Sequence, residues 1–120
     1  MSDPFFEAVN GLVTRYPGVR GAAFTDMDGE HIALAPRSQQ DRLRICAAYG
    51  GIALRRLGQA EAQTDRPPVD QITVEGSKAR FITLRVGSEY QLVVTLSDEQ
   101  PTGSIMAAVQ STARELAAQV

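Results

Sequence analysis

The residue types that most often do chemistry in proteins are scarce in this chain of 120 residues. It has one histidine, His31, one cysteine, Cys46, and one lysine, Lys78. A metal site needs several ligands close together, and a general base needs a partner that orients it. We therefore interpret His31 as an ordinary strand residue and Cys46 as a small buried hydrophobe. The sequence predicts no catalytic residue, no metal site and no cofactor, so the protein is expected not to be an enzyme.

Two motifs could still suggest phosphate chemistry. Asp26 and Asp28 form an Asp-x-Asp pair after an apolar stretch, as in some phosphatase nucleophiles, but those enzymes need a much longer chain. Since Asp-Gly supplies the positive φ angles that hairpins use, we interpret residues 26–29 as a tight turn. A phosphate-binding loop needs glycine before its lysine, whereas Lys78 follows Ser77. The chain is therefore not expected to be a GTPase itself.

Composition bounds the remaining classes of function. A net charge of −2 lacks the basic footprint of a non-specific nucleic-acid binder. No apolar run approaches the roughly 20 residues of a membrane span, and the first residues do not resemble a signal peptide. One cysteine cannot form an internal disulfide, which is typical of a reducing cytoplasm. We expect one cytoplasmic domain over residues 1–120.

Hydrophobic spacing and turn signals place these residues on elements in the order αββαβββα. The first helix begins at Asp3-Pro4 and ends at Pro17-Gly18. The second, capped by Asp41, runs to about residue 62, and the last begins at Thr102 or Gly103 with an apolar stripe that extends to Val120. The predicted strands cover residues 19–25, 30–34, 69–75, 79–86 and 90–96.

The strand patterns predict which strands are central. Residues 79–86 and 90–96 are apolar on both sides, which is typical of strands covered on both faces. Residues 30–34 and 69–75 alternate between apolar and polar and are predicted to be edges. We expect a five-stranded antiparallel sheet between helical layers. The edge at 69–75 has little protection against pairing with another strand.

The long second helix has more apolar surface than one sheet can cover. At 100° per residue its core face contains Leu43, Cys46, Ala47, Gly50, Ala53, Leu54 and Leu57. A second, separate stripe contains Ile45, Tyr49 and Ile52, beside the small residues Ala48 and Gly51 that would let another helix approach closely. The stripe is either part of a wide core face or a protein interface, and we favour the interface.

The same helix concentrates arginine in an acidic chain. Arg42 and Arg56 lie beside the second stripe, and Arg44 and Arg55 lie on a third face. They form either a solvated surface or a docking site for acidic groups, since arginine binds carboxylates in a bidentate way. The candidate partner-binding residues are Arg42, Arg44 and Arg55.

The order of parts resembles the Roadblock (dynein light chain) domain family over nearly the whole chain. The resemblance rests on residues 16–24 running into Asp28-Gly29, on the small-residue helix at 47–54, and on residues 90–96 with the closing helix. It implies an α+β fold, a profilin-like three-layer αβα sandwich with strand order 2-1-5-4-3. It also implies a homodimer formed by the third strands and the second helices. The predicted dimer interface is Ile45, Tyr49, Ile52, Arg56, Ile72 and Val74.

Bacterial members of this family, such as those of the Mgl polarity system, typically regulate Ras-like small GTPases. The resemblance therefore implies a non-catalytic homodimeric interaction module that regulates such a GTPase or its partner regulators in cell polarity or motility. The partners would be a second copy, a Ras-like GTPase or another Roadblock protein. The alternatives are a co-catalytic GTPase-activating protein and a small-ligand sensor domain.

Overall fold

The order of helices and strands agrees with the prediction. The computed structural model describes residues 3–64, 69–77 and 80–120. The helices are α1 (Pro4–Arg15), α2 (Gln40–Glu61) and α3 (Thr102–Ala117). The strands are β1 (Val19–Asp26), β2 (His31–Ala35), β3 (Gln71–Glu75), β4 (Arg80–Val86) and β5 (Tyr90–Leu96).

The five strands form one antiparallel sheet in the order β2-β1-β5-β4-β3, which confirms the predicted topology. The central strand β5 pairs with β1, where Phe24 lies opposite Leu92, and with β4, where Ile82 lies opposite Val94. The edge strands are β2 and β3, as their alternating patterns predict.

Helices cover both faces of the sheet. α1 and α3 contact each other and lie on one face, over the alternate strand residues that include Phe24, Ile82 and Val94. Of the three helices described, α2 lies on the opposite face, where Cys46 and Ala47 pack on Phe81 and Val93. The fold is therefore an α+β three-layer sandwich, as predicted.

The first helix begins as predicted. The Asp3 carboxylate accepts hydrogen bonds from the backbone N–H groups of Phe5 and Phe6 at 3.1 and 3.2 Å. These are N–H groups that a helix leaves without a partner in its first turn. Asp3 is the N-cap and Pro4 the first helical residue.

The predicted start of the second helix is wrong. A short 3₁₀ turn, Arg37–Gln39, leads directly into α2, which begins at Gln40. Asp41 is therefore inside the first turn and does not cap the helix. Its negative charge still complements the positive end of the helix dipole.

Other bounds shift by one or two residues. β1 continues to Asp26, β2 is His31–Ala35, and β3 begins at Gln71. Val120 follows the end of α3 and is exposed, so it is not part of the buried stripe. Residue 79, the predicted start of the fourth strand, and Lys78 lie outside the described residues. Among the helices described, none is long and apolar enough to cross a membrane.

Candidate interaction surface

The outer side of α2 exposes three large apolar side chains. Ile45, Tyr49 and Ile52 are 58%, 66% and 48% exposed. Leu43 and Leu54, on the opposite side of the helix, are fully covered by the sheet. The interpretation of the stripe as a wide core face is therefore wrong, because the sheet does not reach it. Large apolar side chains grouped on one surface commonly mark sites of protein association.

The apolar surface continues from α2 to the edge strand β3. Ile72 and Val74 are half-buried and alternate with exposed polar residues along the strand. Val74 packs on the cluster that contains Cys46, which places these two side chains on the α2 side of the sheet. We call the surface formed by Ile45, Tyr49, Ile52, Arg56, Ile72 and Val74 the α2–β3 face.

Two residues predicted for the core face of α2 extend this surface. Leu57 is 39% exposed, and Ala53 is only half-buried. At 100° per residue both lie between the buried side of the helix and Tyr49. One helix covers only part of a five-stranded sheet, so the flank of α2 remains open. The prediction that Leu57 lies in the core is wrong.

Gly51 has a different role from the one predicted. It is buried, and a Cβ atom built on it would stand 2.0 Å from the carbonyl oxygen of Met27. Gly50 is also buried, and its Cβ would lie 2.9 Å from Oε1 of Gln91. Both glycines therefore bring α2 close to its own sheet and the β1–β2 turn. Gly51 does not serve the approach of a second helix.

A buried polar network under α2 involves Gln91, which the sequence did not single out. Nε2 of Gln91 donates to the carbonyl oxygens of Ala47 and Asp26, at 2.8 and 3.2 Å. Its Oε1 accepts from the hydroxyl of Thr83 at 2.7 Å. Buried polar groups are stabilising only when they are paired, and both the nitrogen and the oxygen of this amide form hydrogen bonds. The network orients the helix that carries the exposed stripe.

Arg80 is another residue that the sequence analysis missed. Its guanidinium donates to the carbonyl oxygens of Ser97, Asp98 and Gln100, at 3.1, 3.2 and 2.7 Å. It thereby ties the start of β4 to the loop that precedes α3. Both Gln91 and Arg80 lie on strands, and the local sequence pattern of a strand does not predict a hydrogen bond to a distant carbonyl.

The arginines of α2 differ in their surroundings. Arg55 forms a 2.7 Å ion pair with Asp28 of the β1–β2 turn, with both side chains largely exposed. Arg42, Arg44 and Arg56 are exposed on the helix. Within residues 3–64, 69–77 and 80–120, none of these three makes an ion pair. These three arginines therefore present positive charge to solvent.

The residues that were considered for catalysis belong to a turn and a strand of the fold. The Asp26 carboxylate accepts from the backbone N–H groups of Asp28 and Glu30, at 2.9 and 3.0 Å, and Gly29 has a φ of 93°. This geometry agrees with the predicted tight turn. His31 is half-buried on β2. The part of the chain described contains no group of three or more residues positioned to hold a metal ion.

Cys46 lies on the buried side of α2 and is 5% exposed. Burial raises the pKa of its thiol above the ordinary value of 9.0, and the nearby Arg42 guanidinium offsets part of that increase. A thiol with a raised pKa is a poor nucleophile at neutral pH. These facts agree with the prediction that Cys46 is a small buried hydrophobe.

A groove of about 720 Å³ runs along the other edge of the sheet. Its lining includes Phe6, Asn10, Ile32 and Pro36. Phe6 and Ile32 are each 43% exposed, so the groove is open to solvent. No pattern in the sequence indicated this groove. It lies at β2, the edge strand opposite β3.

No protein-family model and no curated protein matches the sequence. Solved structures do match. A Roadblock/LC7 domain from Streptomyces avermitilis has a TM-score of 0.81 and 21% identity, covering 96% of this chain and 95% of that one. The gliding protein MglB from Thermus thermophilus has a TM-score of 0.78 and 15% identity, covering 98% and 91%. Profilin II from Acanthamoeba castellanii has a TM-score of 0.62 and 16% identity, covering 96% and 98%.

These similarities agree with the strand order and layers described above. They cover nearly the full length of each protein, so the whole fold is matched and not one motif. The profilin match supports the predicted profilin-like architecture. The resemblance inferred from the sequence is thereby confirmed for the fold: this chain has the αβα sandwich of the Roadblock/LC7 domain structures.

Proposed function

We propose that this protein is a non-catalytic interaction module that forms a homodimer and regulates a Ras-like small GTPase or one of its regulators in the cytoplasm. The observation that carries the proposal is the α2–β3 face. Three large apolar side chains are exposed there beside the edge strand β3. Exposing such a surface is costly in water unless another protein covers it.

A second copy is a suitable occupant of this face. Antiparallel pairing of two β3 edges would satisfy their free backbone groups and join two sheets into one. The α2 helices would then bring their exposed stripes together across a two-fold axis, where each copy presents the same residues. Tyr49 would be the central anchor, since aromatic side chains dominate many interfaces.

Regulation of a GTPase rests on the fold and on the charge of α2. MglB from Thermus thermophilus, whose structure this chain resembles, is a gliding protein, which supports a role in motility or polarity. Arg42, Arg44 and Arg55 are candidate contacts to acidic groups of the partner. The module would act by presenting a surface to the GTPase.

The test uses a Ras-like GTPase from the same organism as this protein. We expect binding that depends on whether GTP or GDP is loaded, measured by calorimetry, and that weakens when Arg44 is changed to Glu. If the protein bound neither the GTP-loaded nor the GDP-loaded GTPase, the proposal would be contradicted. Single-turnover GTP hydrolysis, with and without the protein, separates the module from the co-catalytic alternative. An accelerated rate would show that the protein activates hydrolysis.

A further inference from the structure

The charges along α2 are unbalanced on its exposed side. The helix contains Arg42, Arg44, Arg55 and Arg56 but only two acids, Asp41 and Glu61. The Glu61 carboxylate accepts a hydrogen bond from the backbone N–H of Val69, which holds it towards the chain that leads into β3. Asp41 lies in the first turn. The exposed stripe is therefore flanked by Arg42 at one end and Arg56 at the other.

The stripe reads nearly the same in both directions. Its residues, Arg42, Ile45, Tyr49, Ile52 and Arg56, follow one another at alternating spacings of three and four. At 100° per residue they lie on one continuous side of the helix. In an antiparallel pair of α2 helices centred on Tyr49, each isoleucine would meet the other isoleucine of the partner copy. The apolar part of the stripe is therefore complementary to itself.

The ends of the stripe are not complementary to themselves. The same two-fold arrangement would place Arg42 of each copy opposite Arg56 of the other, so that two like-charge contacts would form. Like charges that face each other across an interface discriminate against that pairing. A self-pair therefore gains from its isoleucines and tyrosine but loses at both ends.

We propose that the preferred partner of the α2–β3 face is a second chain of this same fold whose long helix carries Asp or Glu in place of Arg42 and Arg56. This inference rests on the proposed function, because it requires pairing through this face. Such a pair would keep the same apolar contacts at its centre, and both end contacts would become arginine–carboxylate pairs. The homodimer is the weaker of the two assemblies.

The protein itself can supply the acidic partner. The double variant Arg42→Glu/Arg56→Glu has the predicted complementary ends on an unchanged apolar stripe. Both residues are exposed, so the variant is expected to fold, and circular dichroism with thermal melting checks this. The matched control is Arg15→Glu/Arg114→Glu, which makes the same charge change at exposed positions on the two helices that cover the other face of the sheet.

Equal amounts of wild-type protein and tagged variant are mixed, and dimers are counted by native mass spectrometry at low ionic strength. If pairing ignored the charges, mixed dimers would make up about half of all dimers. In the mixed dimer, two exposed like-charge contacts become two opposite-charge contacts. If this change favours the mixed dimer about tenfold over each self-pair, its share rises to about nine-tenths. We expect this enrichment of mixed dimers with the Arg42/Arg56 variant, and we expect high salt to abolish it. With the control variant, the share of mixed dimers should stay near one half.

The outcomes separate the inference from the proposed function. A mixed share near one half for both variants would overturn the inference while leaving the dimer in place. Strong enrichment with the control as well would also overturn it, because the effect would then be one of net charge. Absence of any dimer in every mixture would contradict the pairing face and with it the proposed function.

Discussion

The side-chain amide of Gln91 donates a 2.8 Å hydrogen bond to the backbone carbonyl of Ala47, in the middle of α2. This bond connects the central strand β5 directly to the helix that carries the exposed stripe. The same amide reaches the carbonyl of Asp26, so the β1–β2 turn, the sheet and the helix meet at one buried group. The position of the α2–β3 face therefore depends on residues beneath it as well as on those that form it.

Replacing Gln91 with Met keeps the length of the side chain but removes its hydrogen bonds. The Thr83 hydroxyl would then be buried without its 2.7 Å partner. We expect the free energy of unfolding to fall by about 1–3 kcal/mol, the usual cost of an unsatisfied buried polar group. Urea denaturation followed by circular dichroism measures it. Gln110→Met is the matched control, since Gln110 bonds Gln71 at an exposed site and should change stability little. Equal losses for both variants would contradict this role of Gln91.

Replacing Gly51 with Ala would push a methyl group into the carbonyl oxygen of Met27. Because that atom belongs to the backbone, α2 or the turn must move. We expect a loss of about 1–3 kcal/mol, typical of overpacking. The control, Gly11→Ala in α1, meets nothing within 4 Å and should stabilise the helix by up to about 1 kcal/mol. Thermal melting of both variants gives the comparison. An unchanged melting temperature for Gly51→Ala would show that the close approach is not required.

The ion pair between Arg55 and Asp28 should contribute little to stability. Both side chains are largely exposed, so water and salt screen their attraction. A double-mutant cycle with Arg55→Ala and Asp28→Ala should give a coupling energy below about 1 kcal/mol. A larger coupling energy would mean that the pair fastens the turn to α2 more firmly than its exposure suggests.

Cys46 should make stability depend on pH only in the alkaline range. Since burial raises the pKa of the thiol in the folded protein, the unfolded chain loses the thiol proton first as pH rises. The contribution of Cys46 is therefore fully present below the unfolded pKa and declines as pH rises towards the folded pKa. Between about pH 8 and pH 10, wild-type stability should fall more steeply than that of Cys46→Ala in urea titrations. Parallel curves would contradict a raised pKa.

Sequence patterns were sufficient for the helical layers and the edges of the sheet, whereas the full strand order was implied by the resemblance to the Roadblock family. The two-sided apolar pattern of β4 and β5 identified the central strands, and alternation in β2 and β3 identified the edges. On α2, the helical spacing placed Leu43 on a buried side and Tyr49 on a separate side, which is exposed in the structure. This was possible because helical geometry fixes which residues share a face.

Contacts between distant segments were not predictable in the same way. Gly51 looked like a site for a second helix, because its position on the wheel does not say which backbone approaches it. In the structure the neighbour is Met27, which is brought there by a turn 24 residues earlier in the chain. Gln91 reads as an ordinary polar strand residue, and its three partners come from three different elements.

The central claim is that the α2–β3 face pairs two molecules, and the substitution Tyr49→Asp tests it most directly. Tyr49 is 66% exposed, so a charge there should leave the fold intact while placing two carboxylates at the centre of the proposed interface. Tyr90→Phe, on the opposite face of the sheet, serves as the control. Light scattering coupled to size-exclusion chromatography should give a dimer for the wild type and the control, and a monomer of 13.0 kDa for Tyr49→Asp. A Tyr49→Asp protein that remains a dimer at the same concentration would contradict the account.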